Sequence, residues 1–291
     1  MKLFRATKER PPLSPDRAAV RKKIEEYERL GDDYFSQNVE DDPPSRALQP
    51  DEVDYLCKKW GNKWNRMKAR VMRRVMTHTG RKYYNIQVKG KENLRGLRHG
   101  GAIFTSNHFA FLENGAIEIA SRMAPGRHRF HYVIREGNYF MDGTFGFLLR
   151  HCDTLPLPSC LHTMKKFNEA MATLLKKGHH ILIYPEQSMW YNYKKPRPLQ
   201  IGAFHMAAKN GVPVVPCFVS LTECGDWEEN GEPHMHYTVH VMPPIYPDPK
   251  KTRRENAELM RRTNEQFCRE AYERAYGIPL TYTCDEEDEA P

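Results

Sequence analysis

Short apolar runs alternate with helix-like stretches through most of the chain, and this alternation constrains the fold more than any other feature. From residue 81 onward, runs of strand length such as "GAIFTS" and "FHYVIR" are separated by stretches in which apolar residues recur every three or four positions. Parallel strands need a crossover connection, which is usually a helix. The pattern therefore predicts an α/β fold with a mixed, partly parallel sheet flanked by helices and preceded by a helical N-terminal region.

Changes in composition divide the chain into five predicted regions. Prolines interrupt the first 50 residues, and the last seven residues, "DEEDEAP", are acidic and are expected to be disordered. Gly80 is expected to end the helix that follows the prolines. The regions are a polar, proline-punctuated segment at 1–50, a basic amphipathic helix at 51–80, the main α/β domain at 81–247, a closing helix at 248–280 and an acidic tail at 281–291.

Size, charge and cysteine content narrow the class of protein. The chain has 291 residues, enough for a sizeable core, and a formal net charge of +8. No apolar run approaches the ~18 residues of a membrane-spanning helix, and the opening "MKLFRATKERPP" lacks the apolar stretch of a secretory signal. The seven cysteines include no CxxC pair. These features predict a cytoplasmic protein with reduced thiols.

The stretch "TSNHFAFLENG" places a histidine and a carboxylate five positions apart. His108 follows a predicted buried strand, at the end where α/β sheets bind ligands, and Asn107 is expected to cap the next helix. Five residues turn a regular helix through about 140° net, so the two side chains meet only if His108 lies in the loop before that helix and Glu113 lies in its first turn. The alternative is a loop or core histidine beside an unrelated solvated carboxylate.

Further blocks follow in a set order. The run "ILIYPEQS" contains Pro185 and Glu186, and the proline-containing strand "VPVVPCFVSL" begins at Val212. Together with "VKGKENL" before His108, this set resembles the glycerolipid acyltransferase family, the PlsC-type 1-acylglycerol-3-phosphate acyltransferases. The resemblance covers about residues 80–247, and Glu113 stands where that family has aspartate.

The resemblance implies transfer of a fatty acyl group from acyl-coenzyme A or acyl carrier protein to a hydroxyl of a lysophospholipid or a related glycerolipid or glycolipid. In that family the histidine is the general base and the carboxylate orients it, which assigns these roles to His108 and Glu113. No metal or other cofactor is implied beyond the acyl donor as co-substrate. The expected partners are the donor, the lipid acceptor and an anionic membrane surface, with no nucleic acid.

The acceptor side departs from the family pattern. Gln187, Ser188 and Met189 replace the Gly-Thr-Arg block, and the arginine expected near "CDTLPLPSC" is also missing. The family's arginines are associated with the acceptor phosphate, so lysophosphatidic acid is in doubt as the acceptor. Basic residues after the third block are the predicted substitutes, with a solvated basic loop as the alternative. The predicted substrate-binding residues are Asn107, Glu186, Gln187, Ser188, Lys194, Lys195 and Arg197.

The basic helix has three interpretations. From Lys58 to Lys82 there are ten Lys or Arg residues and no Asp or Glu, and an apolar stripe has helical spacing. A membrane-surface element, packing of the stripe on the main domain, and nucleic-acid binding all fit this pattern. An enzyme with a lipid acceptor and no spanning helix needs membrane contact, which favours the first. The stripe consists of Trp60, Trp64, Met67, Val71 and Val75.

Two other functions remain possible from the sequence. A degenerate acyltransferase fold could bind lipid or nucleic acid without catalysis, and a thioesterase would use water in place of the alcohol. His234, His236 and His240 share one face of a predicted strand and could bind a metal. No carboxylate or cysteine is interleaved with them, so a polar strand face is the preferred interpretation.

Overall fold

The structure is a computed structural model that describes residues 4–284. The predicted disordered tail therefore lies outside the described residues from position 285 onward. The strands are β1 (Ala6–Thr7), β2 (Gln87–Lys89), β3 (Ala102–Thr105), β4 (Phe130–Arg135), β5 (Thr154–Leu157), β6 (His180–Ile183), β7 (Val214–Glu228) and β8 (Pro233–Val241). The helices are α1 (Pro15–Leu30), α2 (Trp60–Tyr83), α3 (Asn114–Ser121), α4 (Glu136–Tyr139), α5 (Gly143–His151), α6 (Leu161–Lys176), α7 (Gly202–Asn210) and α8 (Arg253–Tyr276), with 3₁₀ segments at Asp32–Ser36 and Lys91–Leu97.

The strands form one mixed sheet in the order β2-β8-β7-β3-β6-β4-β5, with β1 paired to β7. All neighbours along this path are parallel except β7 and β8, which form a long antiparallel hairpin. Strand β3 is buried at all four positions because its neighbours and the helices cover both faces. The predicted α/β class, with a partly parallel sheet flanked by helices, is confirmed.

The register of the central strands places the ends of β3, β6 and β4 side by side. Thr105 of β3 pairs with Ile183 of β6, and Tyr132 of β4 pairs with Leu182 of β6. The residues that follow these three strands therefore meet at one edge of the sheet, where open α/β sheets bind their ligands.

Helix α2 is displaced from its predicted span of 51–80. It begins at Trp60, because the side chain of Asp54 accepts hydrogen bonds from the backbone N–H groups of Lys58 and Lys59, at 2.9 and 2.8 Å, in a turn before the helix. It also runs past Gly80, since the N–H of Tyr84 still donates to the carbonyl of Gly80. Gly80 therefore packs inside the helix and does not end it.

One face of α2 is attached to the main domain through a buried carboxylate. Arg66 Nε and Arg70 Nε donate to Asp153 at 2.6 and 2.8 Å, and Arg73 Nη2 lies 3.3 Å from it. Burial raises the pKa of Asp153, but the hydrogen bond from Arg70 and the charges of the other two arginines outweigh it and leave the pKa below its usual range. Three of the ten basic residues are therefore structural.

The opposite face of α2 is solvent-exposed. The side of the helix that carries the apolar stripe does not pack on the domain, so the packing interpretation of the stripe is wrong. Lys63, Lys68 and Arg74 are exposed beside it. No helix in the described part of the chain is long and apolar enough to cross a membrane. The exposed fractions are 72% for Trp60, 53% for Trp64, 50% for Met67, 60% for Val71 and 60% for Val75.

Candidate active site

A cavity of about 820 Å³ opens at the edge of the sheet where β3, β6 and β4 end. One wall comes from α2, another from α3 and α5, and a third from the segment before α2. His108 reaches the cavity from the loop after β3. The lining is largely apolar, as its residues Met76, Phe111, Ile134, Phe145, Leu148 and Leu149 illustrate.

His108 and Glu113 are brought together as the sequence predicts. Nδ1 of His108 is hydrogen-bonded to Oε1 of Glu113, which is 1% exposed. The second oxygen of Glu113 accepts hydrogen bonds from the N–H groups of Phe109 and Ala110, both at 2.6 Å. This contact exists because the chain from His108 to Glu113 forms a loop, and α3 begins only at Asn114.

The geometry defines the tautomer of His108. A carboxylate only accepts hydrogen bonds, so the proton of a neutral imidazole lies on Nδ1 and the lone pair lies on Nε2. The ring of Tyr184, which the sequence analysis missed, stacks on the imidazole with centroids 4.1 Å apart and planes 11° apart. Burial and the charge of Glu113 raise the pKa of Tyr184 well above its usual value, so the phenol stays neutral.

The backbone of His108 is held at both ends by the segment after β6. Its N–H donates to Oε2 of Glu186 at 3.0 Å, and its carbonyl accepts from the N–H of Trp190 at 3.0 Å. The N–H of Asn192 donates to the carbonyl of Phe109, also at 3.0 Å. The "PEQSMW" block therefore positions the histidine loop. The fully buried indole of Trp190 was missed in the sequence, where a tryptophan after a strand carries no specific signal.

Arg197 lies inside the protein and outside the cavity. Its side chain is 0% exposed and forms an ion pair with Glu186, with Nη2 2.8 Å from Oε2. Nη1 donates to the carbonyl of Phe35 at 2.6 Å and to Oγ of Ser188 at 2.8 Å. The positive charge of Arg197 is thus balanced by a buried carboxylate inside the protein. The predicted binding of acceptor phosphate by Arg197 does not fit this position.

The two lysines of the same loop are also turned away from the cavity. Lys195 pairs with Glu28 of α1 at 2.6 Å, and Lys194 pairs with Glu223 of β7 at 3.0 Å. Neither is among the residues that line the cavity. The alternative of a solvated or structural basic loop describes them better than the predicted acceptor site.

Of the remaining predicted binding residues, two make structural contacts and one lines the cavity. Asn107 does not cap α3, because its side chain instead accepts from and donates to the backbone of Val219, at 2.8 and 3.1 Å, and ties the loop to β7. Ser188 is buried under Arg197. Gln187 lines the cavity, and its φ of 66° places it in the left-handed region.

Arg135, at the end of β4, is a cavity residue that sequence reasoning missed. Its guanidinium pairs with Asp42, donates to the side chain of Asn38 at 2.6 Å, and lies 3.4 Å from the carbonyl of Gln187. The available signal was its position at the end of a strand that neighbours the strand before Glu186. Its partners come from a segment without regular structure, which no periodicity could have placed.

The histidines of β8 do not form a three-histidine site. His240 bonds to Ser220 at 2.9 Å, whereas Cys224, His234 and His236 have potential ligand atoms within 4.8 Å of one another. Both ring nitrogens of His234 are already used, by Glu228 at 2.7 Å and by a backbone carbonyl at 2.9 Å. The group lies on the β7–β8 hairpin, and its members do not line the cavity.

Comparison with known proteins identifies the domain. Residues 85–220 match the family model described as Acyltransferase. The resemblance predicted from the sequence is confirmed. The chain is similar to the solved 1-acyl-sn-glycerophosphate (LPA) acyltransferase PlsC from Thermotoga maritima, with 14% identity over 73% of this chain and 84% of that chain and a TM-score of 0.41. A likeness of this strength supports no inference about the substrate. No curated protein matches the chain.

Arg197→Met should destabilise the protein, because it leaves the buried carboxylate of Glu186 without its counter-charge. The expected loss is about 3–5 kcal/mol in the free energy of unfolding, measured by urea denaturation at neutral pH. Adding Glu186→Gln should recover part of the loss, since no unpaired charge then remains. The matched control is Lys194→Met in the exposed pair, which should change stability by no more than about 0.5 kcal/mol. Unchanged stability of Arg197→Met with a raised acceptor KM would restore the phosphate-binding role.

Proposed function

We propose that the protein is an O-acyltransferase that moves a fatty acyl group from acyl-coenzyme A or acyl carrier protein to a hydroxyl of a lysophospholipid or a related glycerolipid or glycolipid. The observation that carries the proposal is the buried contact between His108 and Glu113 beside a large apolar cavity in an acyltransferase-family domain. A cavity of about 820 Å³ is within the usual size range of small-molecule sites.

In the proposed reaction, Nε2 of His108 takes the proton of the acceptor hydroxyl as its oxygen attacks the thioester carbonyl. Glu113 holds the opposite nitrogen and stabilises the imidazolium that forms. The tetrahedral intermediate collapses by breaking the carbon–sulfur bond, and the imidazolium returns the proton to the leaving thiolate. The products are an ester and a free thiol, and no covalent acyl-enzyme is needed.

The backbone N–H groups closest to His108 are not free to bind the developing oxyanion. Those of Phe109 and Ala110 donate to Glu113, and that of His108 itself donates to Glu186. The first turn of α3 lines the cavity at Asn114 and Gly115. The N–H of Gly115 is also bonded, to the carbonyl of Leu112 at 3.2 Å. We therefore assign oxyanion stabilisation to the dipole at the N-terminus of α3, which favours negative charge, and not to one particular backbone N–H group.

We further propose that α2 docks the enzyme on an anionic bilayer from the cytoplasmic side, as a peripheral protein. An exposed apolar stripe flanked by Lys63, Lys68 and Arg74 is typical of an interfacial helix. The same helix supplies Met76 and Thr77 to the cavity. Docking through α2 would thus bring the cavity to the surface that holds a lipid acceptor.

His108→Ala should lower acceptor-dependent acyl transfer by at least ~10², because it removes the base. Glu113→Gln should lower the transfer rate less than His108→Ala does, since the amide keeps the shape of the side chain and loses only its charge. Glu113→Asp tests whether the shorter residue found in the family still reaches Nδ1 of His108. Release of free thiol and formation of ester are measured together. The matched control is His205→Ala on the exposed face of α7, which should leave the rate unchanged. Full activity of His108→Ala would refute the mechanism.

Trp60→Ala combined with Trp64→Ala should weaken binding to anionic liposomes without lowering the melting temperature, because both indoles are exposed. Lys63→Glu with Lys68→Glu should weaken binding more at low salt than at high salt, since each basic residue near the surface contributes about 1 kcal/mol that salt screens. Co-sedimentation and a melting curve on the same samples are the measurements. Ile278→Ala, an exposed apolar residue away from α2, is the control. Unchanged sedimentation of the tryptophan variant would rule out docking through α2.

A further inference from the structure

A segment without regular structure, residues 38–45, forms one wall of the cavity. It is fixed on both sides. Before it, the indole of Trp190 donates to the carbonyl of Gln37 at 3.0 Å; after it, Leu48 is fully buried, and its N–H donates to Glu136 at 3.1 Å. It also passes close to α4, where a Cβ on Gly137 would lie 3.3 Å from the carbonyl oxygen of Pro43. Residues 38–45 are therefore held in place by these contacts and form a fixed wall of the cavity.

The charge on this wall is predominantly negative. The described acidic residues that line the cavity are Glu40, Asp41, Asp42 and Glu136, whereas the described basic ones, besides His108, are Arg73 and Arg135. Arg73 forms ion pairs with Asp153 and Glu118, at 3.3 and 3.4 Å. Arg135 is committed to Asp42, as described above. Two of the acidic side chains are neutralised as well, Asp42 by Arg135 and Glu40 by Arg17 at 2.6 Å. Among the described lining residues, Asp41 and Glu136 thus carry the negative charge that no ion pair balances.

The wall lies within reach of an acceptor held at His108. Arg135 contacts the carbonyl of Gln187, and the preceding residue, Glu186, accepts a hydrogen bond from the backbone of His108. These contacts connect the wall to the proposed base. The strands that end at these residues are neighbours in the order β3-β6-β4, so the end of β4 is about two strand spacings, or ~10 Å, from the end of β3. The headgroup beside the reacting hydroxyl of a glycerolipid falls in this interval.

We infer that the acceptor of this enzyme carries an uncharged hydroxyl-bearing headgroup, as in a neutral glycerolipid or a glycolipid, and that Asp41 and Asp42 exclude acceptors with a phosphomonoester. The inference rests on the proposed acyl transfer and adds the substrate class. A phosphate dianion at this wall would meet the like charge of Asp41 and would find the guanidinium of Arg135 already occupied by Asp42. Sugar and glycerol hydroxyls can instead donate hydrogen bonds to these carboxylates. The residues responsible precede the family-matched region, which begins at residue 85.

The test compares acceptors that differ in headgroup charge, in detergent micelles and with one acyl-coenzyme A donor. Lysophosphatidic acid is compared with monoacylglycerol of the same chain and with a monoglycosyl lipid, and the rate of ester formation is measured for each. The wild-type enzyme should favour an uncharged acceptor by about tenfold or more. Asp41→Asn with Asp42→Asn should shift that ratio toward lysophosphatidic acid by about tenfold. Asp51→Asn, an exposed acidic residue outside the lining, is the matched control and should not move the ratio.

A second measurement needs only the wild-type enzyme. Raising the salt concentration from about 0.01 to 0.15 M shortens the screening length from about 30 to 8 Å. The rate of ester formation with lysophosphatidic acid should therefore rise relative to the rate with the uncharged acceptors. Wild-type preference for lysophosphatidic acid would mean that phosphate displaces Asp42 from Arg135, and would overturn this inference alone. A ratio that neither the double variant nor salt changes would also overturn it. If none of the three acceptors is converted to an ester, the proposed function is overturned, and this inference is overturned with it.

Discussion

The carboxylate of Glu186 is the interaction on which the rest of the site depends. It is 2% exposed and accepts hydrogen bonds from the backbone of His108 at 3.0 Å, from the backbone of Arg197 at 2.9 Å and from the guanidinium of Arg197 at 2.8 Å. A buried charge of this kind is tolerated only when it is paired and fully hydrogen-bonded. Once these bonds form, the loop after β3 and the loop after β6 have one relative position, and the imidazole lies between Glu113 and Tyr184.

The chemistry and the surroundings of the site come from different parts of the chain. His108, Glu113 and Glu186 all lie in the family-matched region, at the ends of neighbouring parallel strands. The walls of the cavity formed by α2 and by residues 38–45 precede that region. We therefore assign the reaction to the family domain and assign membrane contact and acceptor selection to the segments before it.

The sequence predicted the elements with strong periodicity and the paired side chains of the candidate site. The strands from β3 to β6, the α/β class and the contact of His108 with Glu113 follow from local patterns. Arg197 was assigned wrongly because an arginine after a motif looks the same whether it pairs with a ligand or with Glu186. The start of α2 was misplaced because Asp54 forms a turn that apolar spacing does not reveal. Arg135 and Asp42 were missed because their contact joins residues 93 positions apart in the sequence.

The ratio of thiol released to ester formed tests the central claim most directly. The wild-type protein is mixed with an acyl thioester, with and without an uncharged lipid acceptor, and thiol, ester and intact protein mass are measured over time. Direct transfer assisted by His108 predicts one ester per thiol, thiol release that requires the acceptor, and an unchanged protein mass. Equal thiol release without acceptor would identify a thioesterase, an acylated protein would identify a covalent route, and either result would contradict the account.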